Sequence, residues 1–422
     1  MDTAGAALRQ KGVGDISWLE QGLREVSNQA CCGVVEGLLA MPDLSVPGDR
    51  PRAGERLVGG VGRTIHTLFG AVPVMRNWYK SPAAGNGRFP LDEALGLIDG
   101  HTPALVSLVG RDAAQTPFAT ASREFQPHTG VTVDGRQFQR LSARIGLEFE
   151  AFLRRQEAPG TERPARVYIE MDATGAPLRH VELADRKGKG ADGRAQTHEV
   201  KVAAIFTEHP RPGQPPWRDL GSTTYVATTQ RCHPFGRMVR AEYDRRFADA
   251  GEIITLGDGA VWIWEQCDLH FPKATQIVDF HHAAEHVASL AELACARGSR
   301  KWMRLRRNWT GKLWNGRLDA LMAAARRAIP PCRDHAREKA LAYFENNRSR
   351  MRYDAFRRQG FFIGSGVVEA ACKTIVGARF KAAGMHWSLR GLDRLLPIRV
   401  ALCSNRYDDF WNARANKRYP AA

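Results

Sequence analysis

From residue 166 onward the chain runs strand, strand, strand, helix, strand, helix, strand, helix, and no other feature constrains its fold as tightly. "ARVYIEMDATGAP", "HEVKVAAIFT" and "STTYVATT" are short runs rich in β-branched and aromatic residues and bounded by turn signals, so they read as three strands. "FGRMVRAEYDRRFADAG" has the spacing of an amphipathic helix. "EIITLGDGAVWIWEQCDLHF" and "ATQIVDFHHAAEHVASLAEL" each supply a strand that ends in an aspartate and then a helix. The acids at the strand ends are Asp172, Asp258 and Asp279.

A three-strand meander followed by alternating strands and helices is the order of a ribonuclease H-like core. The predicted fold class is therefore α/β, a mixed sheet with a helical insertion that displaces the last core helix towards the C-terminus. That last helix is "IGSGVVEAACK", apolar except for Glu369 and Lys373. Two readings of Glu369 stand side by side. With Gly366 as cap it falls at the third helical position, where a capping-box glutamate sits. Alternatively it joins Asp172 and Asp258 at one end of the sheet, with Asp279 on the neighbouring strand farther out. Three ionised carboxylates need cations between them, and hard oxygen donors with open positions suit two Mg²⁺ or Mn²⁺ ions. Two such ions serve in-line attack by a water or a 3′-hydroxyl on a phosphodiester.

Charge points to the same partner. Lys and Arg number 61 against 45 acids, and the net charge of +16 favours a polyanion, DNA before a membrane surface. Between residues 297 and 358 stand 18 Lys or Arg and five acids, so most of the excess lies in one segment. Its helical spacing predicts a basic helical insertion in which Trp302, Trp309 and Trp314 are either core or, for one of them, a platform for an unpaired base, while Arg304, Arg306 and Arg307 meet phosphates.

Four Gly-, Pro- and charge-rich stretches punctuate the chain: 41–62 and 157–165 read as linkers, 184–199 and 208–218 as hairpin loops. The predicted organisation is an N-terminal helical segment and linker (1–62), a DNA-recognition region (63–165), the first part of the catalytic core (166–296), the insertion (297–358) and the last part of the core (359–422). In the recognition region "RTIHTLFGAVPVMRNWYK" predicts a β-hairpin, and residues 117–156 predict two helices joined by a short glycine-containing turn. The second helix carries Phe138, Leu141 and Ile145 on one face and Arg136, Gln137, Arg140 and Arg144 mainly on the other, a face that could read DNA or simply be solvated. Eight scattered cysteines without a CxxC pair predict neither disulfides nor a zinc knuckle. No signal peptide or membrane-length apolar run is evident, and a cytoplasmic protein is expected. His281, His282 and His286 lack the third ligand that would make a zinc site.

"IEMDATG", "LGDGAVWIW", "QIVDFHHAAEHV" and, above all, the block from "RMRYDAFRRQGFFIGSGVVEAACK" to "LCSNRYDDFW" resemble bacterial insertion-sequence transposases of the ISKra type, relatives of the Mutator-like group, over roughly residues 60–415. The resemblance implies a DDE transposase that cuts DNA at terminal inverted repeats and joins the freed 3′-hydroxyl to target DNA, acting as a homo-oligomer on DNA. It carries the triad onto Asp172, Asp258 and Glu369, and an Asp/Cys-x-x-His pattern near the site onto Asp279 and His282. The helix cap is an equal reading of that last pair. Lys373, Arg379 and Lys381 follow the glutamate and are expected along the DNA path. Related chains often carry a cysteine pair where this one has "WYKSPAAGNGRFPLD". A structure-selective nuclease on the same core and a non-catalytic DNA-binding protein are the alternatives.

Overall fold

The computed structural model describes residues 16–81, 87–155, 160–183, 196–211 and 216–416, which form two compact units divided at Phe149 and Asp408. The N-terminal unit starts with helix α1 (Ser17–Leu39), whose Cys32, Val35 and Leu39 pack on Ile65, Val72 and Val74 of the predicted hairpin, β1 (Arg56–Thr67) and β2 (Gly70–Lys80). β1 begins inside the stretch expected to be a linker. Three glycines make it look like loop, yet the ladder runs from Arg56–Lys80 to Thr67–Gly70 and absorbs one irregularity between Leu57 and Gly59. After β3 (Gly87–Arg88) and α2 (Pro90–Ala94) come α3 (Pro103–Gln115), α4 (Phe118–Thr129) and α5 (Gly135–Arg154). α4 ends at Gly130, in the left-handed conformation at φ 79°. Phe138, Leu141, Ile145 and Phe149 line the buried stripe of α5. The last helix, Tyr407–Ala415, returns to this unit through Phe410, stacked 3.7 Å from Phe149, and Arg414, bonded to Glu148 at 2.8 Å.

The second unit is built on the predicted sheet. β4 (Arg166–Pro177) pairs antiparallel with β5 (Thr197–His209) and parallel with β8 (Glu252–Gly257). β5 also pairs antiparallel with β6 (Trp217–Arg218) and β7 (Thr224–Thr228), and β8 pairs parallel with β9 (Thr275–Val278). The order β6–β5–β4–β8–β9, with β7 beside β5, is a mixed sheet in an α/β architecture. β4 is interior to the sheet, and five consecutive residues, Val167 to Met171, are buried. α6 (Cys232–Arg246), α7 (Val261–His270) and α8 (Phe280–Glu292) follow β7, β8 and β9 as expected.

The basic segment is helical: α9 (Arg300–Trp314), α10 (Leu318–Ala328), α11 (Asp334–Asn346) and α12 (Tyr353–Arg358). Trp302 and Trp309 are core, whereas Trp314 is exposed. Then come α13 (Gly366–Ala371), continued by a π-helical turn at Cys372–Gly377 and by α14 (Ala378–Phe380), and finally α15 (Leu389–Cys403). Parts of the second linker and of both predicted hairpin loops, with the N-terminal 15 residues, lie outside the described residues. No described helix is long and apolar enough to cross a membrane.

Candidate metal centre

Strand ends and one helix converge on a cavity of about 1060 Å³ in the second unit, lined among others by Asp172, His281, His282, Glu369, Cys372 and Trp314. Each acid is placed by local chemistry. Asp172 lies on β4 beyond its parallel overlap with β8; its Oδ1 accepts the Ala173 amide at 2.7 Å and its Oδ2 lies 3.6 Å from the Cys372 thiol donor. Burial raises its pKa against the pull of the Ala173 amide, and the charge of Asp258 adds to the rise. Asp258 directly follows β8 and accepts the Ala260 amide at 2.8 Å. Gly259 follows at φ +99°, where an added Cβ would come within 2.8 Å of the Tyr343 ring, so glycine is required there. The Tyr343 hydroxyl, from α11, donates to the Asp258 carbonyl at 3.1 Å. The insertion thus pins the turn that presents the second acid.

Asp279 is fully buried at the cap of α8. Its Oδ1 accepts the His282 amide at 2.8 Å and sits 3.3 Å from His282 Nδ1, while Oδ2 accepts both the amide and the hydroxyl of Ser365. Burial alone would raise its pKa; the hydrogen bonds of His282 and Ser365 outweigh it and hold the carboxyl down at about 2. The same ion pair lifts His282 to about 9 against burial, with help from Asp258 and Glu369. Both readings of the Asp279/His282 pattern therefore have a place. The aspartate caps the helix, and ligand atoms of Asp279, His282 and Glu369 all lie within 4.8 Å of one another, a group able to hold one metal ion. Asp172 and Asp258 are outside that group, although both are felt electrostatically within the site.

The capping-box reading of Glu369 fails. Ser365, and not Gly366, is the cap residue, and the amides of α13 turn instead to Glu170, whose Oε2 accepts from Val368 at 2.8 Å. Glu170 went unnoticed in sequence. Its signal was an acid two residues before Asp172 in an otherwise apolar strand, hence on the same face.

The basic residues divide. Arg304, Arg306, Arg307, Lys373 and Lys381 are exposed, and Lys381 also donates to Thr174. Arg379 is buried, its guanidinium 4.9 Å from the Trp387 ring centre, with its pKa pulled down to about 10 by burial. It cannot line a DNA path. In the other unit Arg136, Arg140 and Arg144 are exposed, Arg140 beside Asp99 at 3.5 Å, whereas Gln137 exchanges bonds with Asp134 in a capping box and is occupied there. His286 stacks on Tyr343 at 3.6 Å and takes no part in the cluster.

The ion pair sets a pH window. The carboxylate's contribution to stability is present above its ordinary 3.8 and lost as pH falls through about 2; the imidazole's is present below 6.5 and lost as pH rises through about 9. In chelator-treated protein the NMR titration of the His282 ring should have its midpoint near 9, and Asp279→Asn should return it towards 6.5. A wild-type midpoint at the ordinary histidine value would dissolve the pair.

The chain belongs to the uncharacterised protein family UPF0236, whose profile matches residues 14–408. No curated protein matches the sequence.

Proposed function

We propose that this protein is a DDE transposase, which cuts DNA at the ends of its element and joins the freed 3′-hydroxyl to target DNA. The observation that carries the reading is the Asp279–His282–Glu369 cluster, whose His282 and Glu369 line one cavity with Asp172 beside the ends of β8 and β9. The donor set fits a divalent cation: two carboxylates and one imidazole within mutual reach suit Mn²⁺ or Mg²⁺ once His282 gives up its proton. Asp172 and Asp258 would hold the second ion that two-metal chemistry uses. Such ions supply an activated water or hydroxyl and neutralise the leaving oxygen.

The remaining work falls to side chains of the protein. Asp279 is closed to solvent, where it would hold the ion while also engaging Ser365 and His282, so the groups that would meet the substrate are Asp172 and Glu369 in the cavity wall. Lys373 and Lys381 are exposed on its rim and would hold the phosphates flanking the scissile bond. A strand order of meander plus parallel pairs supports a ribonuclease H-like core, and the uncompensated basic face of α9, which ends at Trp314 in the same wall, supports DNA as the substrate.

The test is an assay with Mg²⁺ or Mn²⁺ on labelled duplexes carrying the element's terminal repeats and a plasmid target. Strand cleavage followed by joining of the labelled 3′ end to the plasmid is expected. Cleavage without joining would reduce the reading to a nuclease, and neither reaction, despite tight binding, would leave a DNA-binding protein.

A further inference from the structure

We propose that Glu170 is the positioning residue for Glu369: from the interior of the sheet it anchors the amino end of α13 and so sets where Glu369 stands relative to Asp172. The inference rests on the metal reading of the cluster. Three observations lead to it. Ser365 occupies the cap position of α13, yet its side chain caps nothing, because the hydroxyl is given to Asp279 Oδ2 at 2.9 Å. The amide of buried Val368, in the first turn of the helix, would then be an orphan. Glu170 takes over, accepting from Val368 at 2.8 Å.

Glu170 itself is 1% exposed, in a strand paired on both sides, and its second oxygen has no hydrogen-bond partner. A carboxyl so deeply buried is costly unless its bonds matter. Here they join two reacting positions by a very short path. Glu170 and Asp172 share a strand face about 6.6 Å apart at 3.3 Å per residue. Val368 is the immediate neighbour of Glu369. Asp279 holds the same helix end from the other side through Ser365, and Phe280 donates to the Ile363 carbonyl at 2.8 Å. The segment bearing Glu369 is therefore clamped between β4 and the end of β9; on the β4 side Glu170 holds its amino end, while Cys372 and Lys381 meet Asp172 and Thr174 farther along.

The test is Mn²⁺ affinity of the full-length protein, read from the EPR signal of free Mn²⁺, for wild type, Glu170→Gln, Glu170→Met, Glu369→Gln and the Glu170→Met/Glu369→Gln double variant. Gln keeps an acceptor for Val368, so its affinity should stay within about threefold of wild type. Met removes the acceptor at similar volume and should weaken binding by about 10–100-fold, the range typical of groups that orient a metal ligand. In the Glu369→Gln background the Met substitution should add little, since the ligand it places is already gone. Damage to the fold would weaken binding through Asp279 and His282 in both backgrounds and would overturn the proposal. So would unchanged affinity in Glu170→Met, or equal losses in Gln and Met. If Met does not fold, Glu170→Asp, which draws the acceptor back by one methylene, is expected to show the same loss and is read the same way. Wild-type protein that binds no Mn²⁺ would overturn the metal reading itself, a result separate from all of these.

Discussion

Glu369→Gln should lose strand cleavage by about a thousandfold or more while its affinity for the element's ends stays within about twofold of wild type. The amide keeps the volume of the carboxylate and removes the charge that a cation needs. A factor of a thousand corresponds to roughly 4 kcal/mol, the scale on which a metal stabilises charge in a transition state. The substitution is also structurally mild. Glu369 is half-buried, and the Val368 amide at the start of its helix is met by Glu170 and not by Glu369, so the substitution takes no partner from that amide. Binding and chemistry can therefore be separated, the first by gel shift and the second by nicking in Mg²⁺. Nicking at the wild-type rate by a folded Glu369→Gln protein would remove this residue from the chemistry. Loss of binding along with nicking would make it an organiser of the DNA surface instead.

The parts of the site that were legible in sequence are those written locally. The strand ending at Asp258, the cap at Asp279 with His282 three residues on, and the helix starting at Gly366 all follow from runs of apolar residues interrupted by turn or cap residues, whereas β4 does not end at Asp172 as expected but runs on to Pro177, its outer half held by the antiparallel ladder with β5. Illegible were the groups whose roles depend on what packs against them. Glu170 looks like an ordinary strand residue until α13 lands on it. Arg379 looks like surface charge until Trp387 closes over it. Gln137 looks like a base reader until Asp134 engages it. The cluster itself shows the same limit. Spacing along the chain could place Asp258 and Asp279 after their strands but could not say that Glu369 comes within ligand distance of Asp279 and His282, whereas Asp172 and Asp258 stand outside that group.

Replacing Arg304, Arg307 and Lys312 together by glutamine should weaken DNA binding by a factor of order one hundred at 0.1 M salt and lower the log–log salt slope by roughly 2.7, about 0.9 for each phosphate left without its cation. The choice of residues follows from which cations the protein has already neutralised. In the insertion Arg326 pairs with Glu338, Arg337 with Asp334 and Glu338, Arg348 with Asp319 and Glu345, and Arg358 with Asp354. α9 contains no acid at all. Among the described residues, none of Arg304, Arg307, Lys312 and Arg317 has a carboxylate at ion-pair distance, and with Asn308 and Asn315 they line a groove of about 600 Å³. Arg306 is excluded because it leans over the Trp302 ring at 5.4 Å. The opposite face of the helix holds Trp302, Trp309 and Leu313 in the core, so the groove side can change without disturbing the packing. Neutralising the already paired Arg326 and Arg348 is the matched control, and it should alter the salt slope far less. Because none of the groove cations is fitted to one base pattern, the triple variant should weaken on random and terminal-repeat DNA alike. If it lost only its preference for the repeats, with random-DNA affinity and salt slope intact, the groove would be the sequence reader and the exposed arginines of α5 would have no recognition left to perform.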